Sequence, residues 1–427
     1  MHYKKVNDRE VCEEGFVIIG NVEHFISNGY VVCDPSLNNR AWNITEKEQE
    51  CIKCKKISEQ SNFNKQKSMK LIVNNKEILK AVSTVGAIVK GAHTMPILDN
   101  ILFEIKDKQL TLISDNLEVR SKVEITIDAD GEVKTCVPYK LLSNILKGFP
   151  NMPIEMIFED KTLKILSETG TYNIPLVDPE PFPKPTESEI TETIKMNSTQ
   201  FIEGIKKALL FTEKTNVTNF HNVLISIKDS GTKIASTDGN VIFEYSLSCE
   251  GANQDLTMSR NVAGYLIHIL SQNEDIELSY SASHLFLNMA GKTINAILSS
   301  TGFPPYTKVF DMQHPDKKLT IDNSIIAPAI KRLYSLTDSE NQTIRFNINE
   351  NSLEVSLNNQ LQKYDAKETL PCEYTGEPIE IAFNANYINN MLTAIEESIE
   401  MNITDGTKPC LFVAENIRAI VGPINDN

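Results

Sequence analysis

Residues 74–82 read Asn74-Asn75-Lys76-Glu77-Ile78-Leu79-Lys80-Ala81-Val82, and their pattern returns twice. The copies are Asn197-Ser198-Thr199-Gln200-Phe201-Ile202-Glu203-Gly204-Ile205 and Asp322-Asn323-Ser324-Ile325-Ile326-Ala327-Pro328-Ala329-Ile330, 123 and 125 residues further along. Each opens on a short polar side chain suited to accept from the free N–H groups of a helix start, and each puts apolar residues at +4, +5 and +8, one helical face. A second series lies between them. Pro138, Ser259 and Asn384 precede apolar residues at +3, +4, +7 and +8, with spacings of 121 and 125. One such stripe would be plain core packing; two interleaved series in register three times make an internal repeat.

Alternating strands fill the intervals. Behind the first-series helices, hairpins are expected over 101–114, turning at Asp107-Lys108, over 223–237, turning at Asp229-Ser230-Gly231, and over 344–357, turning at Asn349-Glu350-Asn351. Strands are also expected at 154–158, 276–280 and 399–403, behind the second-series helices. The unit is a helix with antiparallel strands, used twice per domain and six times in all. The fold class is α+β. Linkers at 178–190 and 311–318 divide the chain into 69–190, 191–315 and 316–427, with 1–68 left as an extension.

At 427 residues the chain has room for several cores. No run approaches the roughly 18 apolar residues of a membrane span, and the charged start does not look like a signal peptide, so the expectation is cytoplasmic. Eight cysteines are too few for a disulfide scaffold. The net charge of −15 argues at first against nucleic acid. Its distribution reverses that: the six helices sum to +6 and everything else to −21. Solvated helical faces favour Lys and Arg in any case, but the segregation also suits helices that face phosphate while the exterior repels stray DNA. The candidates are Lys76, Lys80, Lys90, Lys140, Lys147, Lys206, Lys207, Arg260, Lys331 and Arg332. Without a recognition-helix motif, contact would be independent of base sequence.

Enzyme readings fail. Gly291-Lys292-Thr293 ends like a phosphate-binding loop, but Phe286 stands where its first glycine belongs. There is no G-x-S-x-G or H-E-x-x-H, and the seven histidines are scattered. Asp115 and Asp238 read as turn-forming. Cys51-x-x-Cys54 sits in a polar stretch. With Cys12 and Cys33 it makes a candidate four-thiolate zinc site of non-standard spacing, weighed against unligated thiols.

Met69-Lys70-Leu71-Ile72-Val73, Thr94-Met95-Pro96-Ile97-Leu98-Asp99-Asn100, Ser236-Thr237-Asp238-Gly239, Gly302-Phe303-Pro304-Pro305-Tyr306, His314-Pro315-Asp316-Lys317-Lys318 and Phe383-Asn384-Ala385-Asn386-Tyr387 resemble, in order, the bacterial DNA polymerase III beta subunit, the sliding clamp family. The resemblance covers 69–427. It implies a non-catalytic, head-to-tail homodimeric ring with helices toward duplex DNA and sheets outside. It needs no cofactor and would be partnered by the replicative polymerase, a clamp loader and repair polymerases. Tyr172 and Ile174 would meet the partner's Leu333 and Leu336. Docking peptides would enter a cleft walled by Phe220, Thr237, Gly239, Asn240, Val241, Ile242, Pro304, Lys308, Val309, Asn384, Tyr387, Thr407, Pro409, Ile420, Val421, Gly422, Pro423 and Ile424. Val241, Ile242, Pro304, Val309 and Ile424 would take apolar anchors, while Asn384 and Tyr387 would hydrogen-bond the peptide. Three positions depart from the family: Asn240-Val241 replace a His-Arg pair, the C-terminus differs, and Ala92 replaces an Arg that touches DNA, leaving Lys90 or His93 to stand in. Two other readings stay open at this point, a sheet-rich protein that does not bind DNA and a clamp fused to a small thiol module.

Overall fold

The computed structural model describes residues 69–89, 95–129, 131–168, 170–186, 189–214, 219–251, 253–338, 342–359 and 364–424. Before them it describes the backbone of five strands, Tyr3–Val6, Arg9–Cys12, Glu14–Ile19, Val22–Ser27 and Tyr30–Val32, paired as an antiparallel two-stranded and a three-stranded sheet.

The six expected helices form at the expected places: α1 (Asn75–Gly86), α2 (Tyr139–Gly148), α3 (Ser198–Ala208), α4 (Arg260–Ile269), then, after a short α5 (Thr307–Asp311) in the second linker, α6 (Asn323–Tyr334) and α7 (Ala385–Ala394). Asn74, Asn197 and Asp322 accept from the N–H two residues on, as caps should. The next residue ties the two helices of a domain together. Asn75 Nδ2 donates to the carbonyls of Leu146 (3.1 Å) and Phe149 (3.1 Å), and Asn323 Nδ2 to those of Leu392 (3.1 Å) and Ile395 (2.7 Å), so one side-chain amide satisfies C-terminal carbonyls of the second helix that would otherwise lack donors.

The hairpins form as read. Asp107 and Lys108 both take positive φ (51° and 62°), the signature of a two-residue primed turn, and Gly231 takes φ 121°. Their assembly is where local reading stops. Each domain presents two half-sheets of four strands, one in the third domain gaining a fifth, Glu373–Thr375, and half-sheets of neighbouring domains splice edge to edge. Val119–Thr126 pairs with Lys292–Ile297, making one eight-stranded sheet of the first and second domains. Val241–Leu247 pairs with Ile417–Val421, and the resulting sheet of nine strands joins the second and third. Two half-sheets have no neighbour among the described residues, and their outer strands are Gly170–Pro175 in the first domain and Tyr364–Pro371 in the third. The first domain keeps its own core, whereas one continuous apolar core runs through the second and third.

Candidate docking cleft and DNA-facing helices

The cleft grows from the second splice. Strand Gly231–Thr237 ends in a turn closed by Asp238, whose Oδ1 accepts from the N–H groups of Asn240 and Val241 at 3.0 Å each. Gly239 follows with φ 93°, and a Cβ there would touch the Phe220 ring, so glycine serves both the conformation and the contact. On one face of the spliced sheet, α5 lays Tyr306 and Phe310 onto Leu224, Ala235 and Ile420. Around this patch Ile242, Phe303, Val309 and Leu411 stay only half-buried. The result is an apolar hollow roofed by a linker rather than by a domain.

Below it lies a charged fastening that has no motif in the sequence. Glu244, almost wholly buried, accepts from Lys233 Nζ and Tyr306 Oη at 3.0 Å each, and Arg418 Nη1 stands 3.7 Å away. Arg418 also lies over the Phe310 ring at 4.4 Å. Glu244 and Arg418 are cross-strand neighbours at the splice, so one buried carboxylate joins two domains and the linker helix. Burial, with the Glu244 charge beside it, drives the Tyr306 hydroxyl far above the usual phenol range. A Glu in an alternating strand was the only hint.

Several predicted wall residues belong elsewhere. Val241 and Val421 are fully buried in the core; Ile420 and Thr237 are buried too, the latter donating its hydroxyl to Val241 O at 2.6 Å. Asn384 has both polar ends engaged, capping α7 through Asn386 N–H and donating to Gln342 Oε1. Tyr387 Oη accepts from Asn240 Nδ2 at 3.2 Å across the domain boundary. Ile242, Pro304, Val309, Pro409, Gly422, Pro423 and Ile424 are half-buried; Gly239, Asn240, Lys308 and Thr407 are exposed. Thr407 closes its own turn on Asp405, whose carboxyl it helps hold down to about 2.

The basic residues also divide. Lys76, Lys80, Lys140, Lys147, Lys206 and Lys331 are exposed and have no ion pair to a described residue. Arg260 is turned inward, its guanidinium donating to the Leu209 carbonyl and the Thr212 hydroxyl, and burial lowers its pKa: it pins the start of α4 and is not available to phosphate. Lys207 is mostly buried, salt-bridged to Glu203 and lying 5.4 Å from the centre of the Tyr245 ring. Arg332 donates to Glu368 through Nε and Nη2. Lys90, Ala92 and His93 lie outside the described residues, as do Cys33, Cys51 and Cys54; Cys12 ends a strand of which only the backbone is described. Lys292 of Gly291-Lys292-Thr293 sits in a hairpin and donates to Ser271 and Glu274.

Of the four expected interface residues, Ile174 and Leu333 are inside their own domains' cores, covered by the packing of those domains. Tyr172 and Leu336 remain, 39% and 42% exposed.

The comparisons agree with this architecture. The model of the DNA polymerase III beta subunit N-terminal domain matches 69–186, and that of its C-terminal domain matches 312–420. The beta sliding clamp of Vibrio cholerae is 23% identical over 356 residues, covering 82% of this chain and 96% of that protein; the beta sliding clamp of Salmonella typhimurium is 24% identical over 346, covering 79% and 93%. Among solved structures, a sliding clamp from Pseudomonas aeruginosa bound to griselimycin superposes with a TM-score of 0.79 at 20% identity, covering 84% of this chain and all of that one; the DNA polymerase III beta subunit of Thermotoga maritima gives 0.77 at 21%, with the same coverage. With both terminal domain models matched in order around the repeat, the chain belongs to the DNA polymerase III beta subunit family, the sliding clamps.

Proposed function

We propose that two copies of this chain close head to tail into a ring around duplex DNA and hold the replicative polymerase and its loader to it, without catalysis of their own. One observation carries the ring. Ile88, Phe211 and Leu336 occupy the same place, fourteen residues beyond the three first-series caps. The first two are buried at the spliced junctions; Leu336, beside the free edge of the third domain, is exposed. On the other side, register counting makes Ile294, Ala419 and Tyr172 equivalent. Again the two at splices are buried and the third, on the free edge of the first domain, is not. Edges with no neighbouring strand among the described residues and exposed apolar residues beside them call for a partner, and the matching edge belongs to a second copy. The repeat even sets the register: Asp365 falls opposite Asn173 of the other protomer, and Ala366 opposite Tyr172. Loading onto nicked circular DNA that is lost when the circle is cut tests the ring; a monomer at micromolar concentration refutes it. A sheet-rich protein with no DNA function would show neither.

The hollow around Ile242 and Val309 is the proposed peptide-docking site, since an extended peptide wants an apolar pocket with few polar groups. Without the family's Arg beside Gly239, the preferred motif should differ from the usual one. Ile242→Asp with Ile424→Asp is expected to weaken binding of the cognate polymerase's C-terminal peptide at least tenfold, measured by calorimetry; equal affinity rules the hollow out. The described residues contain no helix long and apolar enough to cross a membrane, and we place the protein in the cytoplasm. The clamp function requires no cofactor. For residues 1–68, unligated thiols and a zinc site on Cys12, Cys33, Cys51 and Cys54 are separated by elemental analysis: the zinc reading needs about one equivalent per chain, lost in Cys51→Ser with Cys54→Ser.

A further inference from the structure

The first splice ends in the same turn as the second, bond for bond. Asn116 Oδ1 accepts from Glu118 N–H (3.0 Å) and Val119 N–H (2.7 Å), as Asp238 does from Asn240 and Val241. Leu117 N–H is held by Asp115 Oδ1 and Gly239 N–H by Thr237 Oγ1. Behind them Ile297 donates to Glu118 O, and Gly422 to Asn240 O. The junction of the first and second domains therefore has a counterpart of the docking hollow, and a cavity of about 150 Å³ opens there.

At the apex the two differ. Gly239 has φ 93°; Leu117 has φ 71°, a left-handed conformation that favours glycine, and its side chain is 56% exposed. Ile297, on the same cavity, is 41% exposed. A strained backbone that displays an unburied leucine contributes nothing to the core, and such strain gathers where ligands bind. The polar lining is balanced. Arg120 is neutralised by Asp115 at 2.9 Å and anchored on the Pro183 carbonyl at 2.8 Å. What remains is the Glu118 carboxyl, the Lys184 ammonium and the His284 ring, together with Asn295, whose buried Oδ1 has no hydrogen-bond partner among the described residues. Burial raises the Glu118 pKa. A phosphate or carboxylate would meet Glu118 and an ammonium would meet Lys184, whereas a peptide group brings donor and acceptor without charge.

We infer that this cavity is a second docking site, taking a short uncharged segment of a partner protein with an aliphatic side chain between Leu117 and Ile297 and an amide N–H on Asn295. The inference rests on the geometry of the first junction and stands whether or not the hollow at the second is occupied. The test uses the full chain with labelled methyl groups and three probes, acetyl-Ala-Leu-Ala-amide and its Glu and Lys counterparts. The leucine probe is expected to shift the Leu117 and Ile297 methyls saturably at millimolar concentration, with the charged probes at least fivefold weaker. Leu117→Gly, which relieves the backbone, should fold at least as stably yet lose the Ile297 response, and Asn295→Ala should weaken binding about fivefold, the scale of one hydrogen bond. No shift, equal response to all three probes, or a response surviving both substitutions overturns the site. Ile242 and Val309 methyls report the other hollow separately.

Discussion

The first and third domains share one plan but differ in how many cations their helices display. Helices α1 and α2 display four exposed lysines with no ion pair to a described residue, Lys76, Lys80, Lys140 and Lys147. Helices α6 and α7 display one, Lys331: Arg332 is taken up by Glu368, α7 contains no Lys or Arg, and Glu396 and Glu397 follow it. The buried positions match instead. Asn75 and Asn323 make the same inter-helix bonds, and Val85 and Leu333 are both core. Packing holds the plan constant, while the solvated faces are free to divide the work, and grip on DNA should fall mainly on the first domain.

That contrast can be broken first at its buried side. Ile174→Asp or Leu333→Asp puts an unpaired carboxylate in a core and should destabilise by more than about 4 kcal/mol, read by denaturant unfolding. Tyr172→Asp with Leu336→Asp, at exposed neighbours, should leave a folded monomer, read by sedimentation. If the two pairs behave alike, the distinction between core and seam is wrong. Next comes the charged side: replacing the four first-domain lysines by alanine, eight in the two-copy ring, should lower the slope of log K against log salt by about 7, and Lys331→Ala, two in the ring, by about 2. Equal slopes would move the DNA contact elsewhere. The smallest effect concerns the caps. Asp322 is held below the usual carboxylate range, first by the Ser324 hydroxyl and then by its N–H. A depressed folded pKa means stability present above the unfolded value near 4 and lost as pH falls through the folded one. Asn74 and Asn197 cannot titrate, so α6 should fray in acid before α1 and α3, and Asp322→Asn should remove that difference in hydrogen exchange.

Helix starts and hairpins were legible because caps, periodicity and turn residues act within a few positions of one another. Burial against a distant strand was not. Ile174 and Tyr172 share one face of a strand, and only the packing of the first domain reveals that the former is covered and the latter is not. The family resemblance put Val241 in the pocket wall, but its register opposite Val421 places it in the core. Arg260 resembled a phosphate contact by charge alone, yet the carbonyl it serves is 51 residues away. Helix α5 is too short to leave a periodic signal.

The splices have a further consequence for how such a ring would come apart. Each internal splice is made of five residue pairs and is also bridged by a stretch of the same polypeptide. If strands separate there, their ends stay at high effective concentration and re-anneal, whatever the amount of protein present. The two seams between protomers would rest on comparable pairing with no covalent tether, so their closure alone would obey mass action. Dilution, or anything that captures one free edge, acts on those seams and leaves the other four joints shut.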